Sequence, residues 1–411
     1  MQITLTSWGS RGDVEPLAAL AAQLREFGAD AQVCVPPDPE FAELLARAGV
    51  RHVPMGPSVH SVVAGSKAPT AQDAFRLAPA LVAARFETLL AVAGESDAIV
   101  ATGLMPAGAR DVAEKFGIRY VLACFHTAGL PSRRFRPGGR PTLEPQREET
   151  DLRAAWEQDT QRVNALYRES VNDHRASIGL PALDDVRGYV LGEQPWLAAD
   201  PLLWPADDGT DLPLIQTGAW ILPDDRPLPD DLQAFLDAGE PPVYMGIGSI
   251  AAHAPTNLAQ VAIDAIRSHG RRVVLSRGWA GLTPIDDGAD CFTIGEVNQQ
   301  ALFTRVAAVI HHGGAGTTTT AAQAGAPQVI VPQIVDQPRW AARVADLGIG
   351  AAHDGPAPTV ESLAAALSLA LQPGTRRQAG IVAGRIRTDG AAVAAAMLCG
   401  PTGDAPPSDT D

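Results

Sequence analysis

The run His311-His312-Gly313-Gly314-Ala315-Gly316-Thr317-Thr318 combines residue types that suit one task, holding a phosphate. It follows the apolar stretch Val306 to Ile310 and leads into a helical pattern. Glycines let a backbone approach a ligand closely and adopt positive φ. A helix N-terminus adds unpaired N–H groups and a partial positive charge, and both favour anions. Thr317 and Thr318 can supply hydroxyl donors or cap the helix, and His312 can donate to a phosphate oxygen. A tight strand-to-helix turn would account for the glycines but not for the histidine pair. The run is not a P-loop, because it lacks Gly-x-x-x-x-Gly-Lys. The first strand leads into Gly9-Ser10-Arg11-Gly12 rather than Gly-x-Gly-x-x-Gly, which argues against a nicotinamide enzyme.

A second group is Ser7-Trp8-Gly9-Ser10-Arg11-Gly12-Asp13-Val14, at the end of the first strand. Open α/β sheets bind ligands outside such strand ends. Asp13 is placed to cap the helix that follows or to act as a general base on a hydroxyl. With an ordinary pKa of about 3.9 it is ionised at neutral pH. Arg11 is either a solvated surface charge or a partner for a diphosphate. Asp336 and Gln337 stand side by side after the strand Gln328 to Val331, where they can bind several sugar hydroxyls; Asp336 can also cap the helix that starts at Gln337. Ser276-Arg277-Gly278-Trp279 and Gly246-Ile247-Gly248-Ser249 close two further strands. Trp279 fits either a core position or the flank of a nucleobase. The chain has neither a His-Glu-x-x-His pattern nor an Asp-x-Asp cluster, so a departing diphosphate would rely on N–H groups, Thr317, His312 and the helix dipole.

Positioning these groups requires strand ends, and the sequence provides them twice. Ile3 to Trp8, Ala31 to Val35, Ala98 to Thr102 and Arg119 to Phe125 read as short buried strands, with a helix over Val14 to Phe27. Pro242 to Ile247, Arg272 to Ser276, Cys291 to Ile294, Ala307 to His311 and Gln328 to Val331 repeat the plan, with helices over Leu258 to Ser268, Thr318 to Ala324 and Gln337 to Leu347. This alternation predicts two tandem, doubly wound α/β domains with parallel sheets. The 411 residues, 46% of them hydrophobic, suffice for two cores. The Pro- and Asp-rich residues 203–222 read as the linker, which gives an N-terminal domain over 1–202 and a C-terminal one over 223–399. The last helix is expected to pack back on the first domain. Residues 400–411 read as a disordered tail, and Pro131 to Thr150 as a long polar loop.

A net charge of −15 argues against nucleic acid and anionic membranes as partners. No apolar run reaches the ~20 residues of a membrane span. The start Met1-Gln2-Ile3-Thr4-Leu5 goes directly into a strand without a basic leader, so a cytoplasmic location is expected. Cys34, Cys124, Cys291 and Cys399 read as free thiols in a reducing compartment.

Taken together, Gly9 to Asp13, Gln216-Thr217-Gly218-Ala219-Trp220-Ile221-Leu222-Pro223, Ser276 to Ala280, Gly295-Glu296-Val297-Asn298 and His311 to Thr318 resemble the glycopeptide-antibiotic glycosyltransferases of the GT-B fold. Those enzymes decorate vancomycin-type and teicoplanin-type aglycones. The resemblance implies an inverting hexosyl transfer from a UDP- or dTDP-sugar by single displacement, with no cofactor and no metal. By that similarity Asp13 is the base. Ser10, Arg11, Ser249, His312, Gly314, Gly316 and Thr317 surround the diphosphate. Arg277, Trp279 and Val297 line the nucleoside, and Asp336 and Gln337 hold the sugar. The acceptor lies near Met105, His126 and the loop from Pro131. The partners are then a nucleotide-sugar and a natural-product aglycone, with the chain a monomer or weak dimer.

A phenol, with a pKa of about 10, gives up its proton more readily than an alkanol, so a carboxylate base suits phenolic acceptors. Rival readings are a nucleotide-sugar epimerase of the same fold, a silent binding module, and a family member acting on a macrolide, sterol or lipid. The intact Asp13 and His312 oppose the silent module. The Arg-rich loop from Pro131 does not favour an apolar acceptor.

Overall fold

The computed structural model describes residues 1–63, 71–103, 105–138, 149–206, 210–248, 257–278 and 288–400. Ser249, Trp279 and most of the 400–411 tail lie outside them. The first half contains β1 (Gln2–Thr6), α1 (Arg11–Glu26), β2 (Asp30–Val35), α2 (Pro39–Arg47), β3 (Arg51–Pro54), α3 (Val59–Val63), α4 (Ala71–Val92), β4 (Ala98–Ala101), α5 (Ala109–Phe116), β5 (Arg119–Cys124), α6 (Leu152–Ser177), α7 (Val186–Leu191), β6 (Trp196–Leu197) and β7 (Ile215–Gln216). The second half contains α8 (Asp230–Asp237), β8 (Val243–Gly246), α9 (Leu258–Ser268), β9 (Val273–Ser276), β10 (Cys291–Ile294), α10 (Gln299–Phe303), β11 (Ala308–His311), α11 (Ala315–Gln323), β12 (Gln328–Ile330), α12 (Gln337–Asp346), β13 (Gly350–Ala352), α13 (Val360–Ala370), α14 (Pro373–Ala383) and α15 (Gly390–Cys399).

The strands form two parallel sheets, in the orders β3-β2-β1-β4-β5-β6-β7 and β10-β9-β8-β11-β12-β13. In each, the order reverses beside the first strand, between β1 and β4 and between β8 and β11. Crossovers leave in opposite directions there, and the strand ends open a crevice. The Asp13 loop follows β1 and the glycine run follows β11, so each motif sits at its own sheet's switch point.

Burial explains the helix faces. Leu17, Leu20 and Leu24 of α1 are fully buried against Ile3, Leu5 and Val33. Each such leucine contributes about 2 kcal/mol of transfer free energy. Ala391, Ala394, Ala395 and Leu398 of α15 belong to the same core, and Arg119 donates to the Met397 carbonyl at 3.0 Å, so the last helix returns to the first domain. The second sheet is covered by α9 and α13, through Ile263, Ile266, Leu363 and Leu367.

The segment read as a linker is more structured than its composition suggests. Ile215 and Gln216 pair with Trp196 and Leu197 and extend the first sheet. Leu203 and Trp204 pack with Trp340 and Val344 of α12. A Pro- and Asp-rich composition concealed three apolar anchors that have partners far away in the chain.

Candidate active site

The glycine run is built around two neutral histidines. His311 is fully buried; its Nδ1 accepts from the Gly313 N–H at 3.1 Å, which places the ring proton on Nε2, 2.9 Å from Gln328 Oε1. Desolvation pushes its pKa down to about 3, with His312 adding to the shift. His311 therefore braces the turn. Gly313 has a φ of 93°, and a Cβ there would meet Ile330 Cγ2 at 2.7 Å, so no side chain fits. The chain then enters α11 at Ala315, three residues before the start expected from periodicity. Ala315, Gly316 and Thr317 thus form the first turn, where N–H groups lack intrahelical acceptors and point outward. Thr318 Oγ1 bonds back to the Gly314 carbonyl at 2.9 Å and is a brace, not a ligand-facing donor.

His312, next to His311, is also buried. A Cβ on Gly314 would lie 2.5 Å from its Nε2, and one on Gly248 would lie 2.8 Å from its Cε1, so the ring is clasped between two glycine backbones. Its Nδ1 is buried and has no hydrogen-bond partner among the described residues. Desolvation lowers its pKa to about 4, against the pull of Asp336. It is neutral at pH 7 and has one N–H to donate.

Asp13 lies across the cleft. The sequence suggested a helix beginning at Val14 with Asp13 as its cap. The helix instead begins at Arg11 with Ser10 as N-cap, and Asp13 occupies the third helical position. From there its Oδ2 accepts the Ser10 N–H at 3.0 Å. A Cβ on Gly9 would come within 2.1 Å of Asp13 Oδ2, so glycine is what allows the carboxylate to fold over the loop. Desolvation raises its pKa to about 7, the Ser10 bond opposes this, and the charge of Asp336 adds to it. Asp336 is electrostatically coupled to both Asp13 and His312, so groups from both domains converge on one cleft.

Asp336 occupies the N-cap position of α12, yet its side chain does not cap that helix. Its Oδ2 accepts the Trp340 indole N–H at 2.8 Å, and its Oδ1 lies 3.8 Å from His126 Nε2. His126 Nδ1 accepts from Ala128 N–H at 3.3 Å, so the proton belongs on the nitrogen that faces Asp336. Gln337 is buried, and its Oε1 accepts the N–H groups of Gln333 at 2.7 Å and Ile334 at 3.0 Å. It shapes the loop before Asp336, a task the sequence did not suggest.

Four other expected residues are placed as follows. Arg11 does not turn toward the cradle. It bonds Glu15 at 2.6 Å and Glu296 at 3.0 Å. Glu296 Oε1 also receives Arg47 at 3.0 Å and Arg226 at 3.2 Å, which makes it a bridge between the two domains. Met105 is buried and packs in the core with Met55, Val82 and Phe86 rather than on an open acceptor surface. Arg277 is exposed beyond β9, with its backbone N–H on the Ile294 carbonyl at 3.0 Å, while Val297 is partly buried against the core that includes Ile294, Leu302 and Phe303. Among the described residues, no three His, Cys, Asp or Glu side chains group to hold a metal ion, and no helix is long and apolar enough to cross a membrane.

Known proteins resemble this chain in sequence and in fold. Residues 286–396 match the family model for the erythromycin biosynthesis protein CIII-like C-terminal domain. Over 401 residues the chain is 53% identical to the vancomycin aglycone glucosyltransferase of Amycolatopsis orientalis, covering 97% of each protein. The chain belongs to the glycopeptide-antibiotic glycosyltransferases. It is also 48% identical to the dTDP-epi-vancosaminyltransferase of the same organism, with 92% of each covered. The glycotransferase of kitacinnamycin superposes with a TM-score of 0.71 at 20% identity over 97% of this chain and 98% of its own, which identifies the GT-B fold. As a glycosyltransferase the chain uses a nucleotide-sugar donor, and its two parallel-sheet α/β domains are those of the GT-B fold.

Several residues of this glycosyltransferase were invisible to sequence reasoning. Glu296 lies inside a quoted motif, but its three arginine partners come from positions 11, 47 and 226. Trp204 and Arg339 carry no motif at all. The one available signal for Arg339 was its helical spacing, three residues after Asp336.

Proposed function

We propose that this glycosyltransferase moves a hexose from a UDP- or dTDP-sugar to a hydroxyl of a glycopeptide aglycone, with inversion and with Asp13 as general base. The observation that carries this reading is Asp13 itself: a carboxylate oriented by the Ser10 N–H, in a desolvated cleft, coupled to the residues beside the glycine cradle. A pKa near 7 makes it a stronger base than an ordinary carboxylate while still half ionised at neutral pH. The acceptor oxygen attacks the anomeric carbon as its proton passes to Asp13. The bond from that carbon to the diphosphate oxygen breaks, and the diphosphate leaves with the bonding electrons. The N–H groups of Ala315, Gly316 and Thr317, the α11 dipole and the His312 N–H then meet the developing charge. Asp336, held by Trp340, offers an oxygen to the sugar hydroxyls. Ser10, Gly314, Ser249, Arg277, Trp279 and Val297 complete the donor site in this reading.

Support for the acceptor comes from the relatives, one of which is named for the vancomycin aglycone. The donor base is left as either pyrimidine, since another relative is named for a dTDP-sugar. The test is product stereochemistry. With α-linked UDP-glucose or dTDP-glucose and vancomycin aglycone, proton coupling at the transferred sugar's anomeric position should report a β-linkage. An α-linked product would refute single displacement.

A further inference from the structure

The Ser132-Arg133-Arg134-Phe135-Arg136 run of the polar loop finds its place through α12. Ser132 Oγ accepts the N–H groups of Arg134 at 3.1 Å and Phe135 at 3.2 Å, and the Trp156 indole donates to the Phe135 carbonyl at 2.9 Å. The backbone around Phe135 is therefore held from the first domain. Its ring faces the second domain. The Arg339 guanidinium carbon lies 3.7 Å from the Phe135 ring centroid and 4.3 Å from that of Trp204, so the cation sits between two aromatic faces. Arg339 Nη1 also donates to Thr127 Oγ1 at 3.4 Å, an oxygen that accepts the Trp204 indole at 3.1 Å.

The contacts continue to the sugar site. Trp204 packs on Trp340 with centroids 4.7 Å apart, and Trp340 donates to Asp336 Oδ2. Trp204 also lies 6.1 Å from the ring of His126, which faces the other oxygen of Asp336. A side chain on Gly138 would touch Val335 Cγ1 at 3.4 Å, so Gly138 of the same loop also rests against the turn before Asp336.

We propose that Arg339 is a positioning residue that joins the Phe135 loop to Asp336, so that seating an aromatic acceptor under the loop also fixes the carboxylate that holds the sugar. This rests on the sugar-binding reading of Asp336. Arg339 does not touch the reacting atoms. It acts because a planar cation packs on aromatic faces and bonds Thr127 at the same time, which lysine cannot reproduce in full. Trp340 then sets the direction of one Asp336 oxygen.

The experiment is a double-mutant cycle on Phe135→Leu and Arg339→Ala, read by steady-state kinetics with vancomycin aglycone and UDP-glucose or dTDP-glucose. Each single variant should raise the acceptor KM or lower kcat by about tenfold, a change of about 1.4 kcal/mol. UDP or dTDP affinity by calorimetry should stay within about twofold, because the cradle is untouched. The double variant should be little worse than either single one. Arg339→Lys should recover part of the loss. Multiplication of the two effects in the double variant would overturn the proposal, as would a parallel loss of nucleotide affinity. Should Arg339→Ala fold poorly, Phe135→Leu against Arg339→Lys closes the same cycle. The outcome is separable from the base assignment, since full turnover by Asp13→Asn would sink that reading without altering the cycle.

Discussion

Replacing Asp13 by Asn should inactivate the enzyme and make the folded protein more stable above neutral pH. The folded carboxyl has a pKa of about 7 against an ordinary 3.8, with desolvation as the main cause. A group whose folded pKa is raised binds its proton more tightly in the folded state than in the unfolded one. Stability is then lost as pH rises from the ordinary value through the folded one. Three units correspond to about 4 kcal/mol once the group is fully ionised. Between about pH 5 and about pH 8 the loss is about 2.5 kcal/mol. Asparagine removes the charge and keeps an oxygen to accept the Ser10 N–H, whereas alanine would also remove that bond. Thermal melts of both proteins should nearly coincide at about pH 4 and diverge as pH rises, with the variant ahead by about 5 °C at about pH 8. A variant that is equally or less stable at all pH values would refute the desolvated carboxylate.

Four further outcomes follow from the same geometry. His312→Ala should weaken UDP or dTDP binding by about tenfold to a hundredfold, the worth of a hydrogen bond to a charged group, as read by calorimetry. Glu296→Gln leaves Arg11, Arg47 and Arg226 without their shared anion, but the cluster is about one-third exposed, so the stability change should stay below about 1 kcal/mol. The salt dependence of the donor KM should be flatter in that variant than in the wild type. Val335 has a φ of 45°, in a region that disfavours β-branched residues, and it is 41% exposed. Val335→Gly should therefore raise stability by about 1 kcal/mol in a denaturant titration while raising the acceptor KM, because relief of strain also loosens the turn before Asp336.

The fold was legible because short apolar strands alternate with helical periods, and that pattern is local. The nine strands read from the sequence came out within a residue or two, whereas the short β3, β6, β7 and β13 were not read as strands at all. The starts of α1 and α11 were each set three residues late, for one reason. Arg11, Gly12 and Gly316 have no apolar period, since none of them is buried in a core. The first turns that periodicity misses are the ones that offer free N–H groups. Side-chain partners were less legible. Arg11 chose Glu296 in the other domain, and Asp336 chose the Trp340 indole four residues on instead of capping its own helix. Gln337 spends its carbonyl on the backbone of Gln333 and Ile334. The Phe135, Trp204 and Arg339 stack draws on three distant segments, and no pattern within any one of them signals it.

The central claim, a cradle opposite a carboxylate base, meets its most direct test in Asp13→Ala. Transfer from UDP-glucose or dTDP-glucose to vancomycin aglycone should fall by about 10²- to 10⁴-fold while UDP or dTDP affinity changes by no more than about twofold. Turnover at the wild-type rate, or loss of nucleotide binding in step with activity, would contradict it.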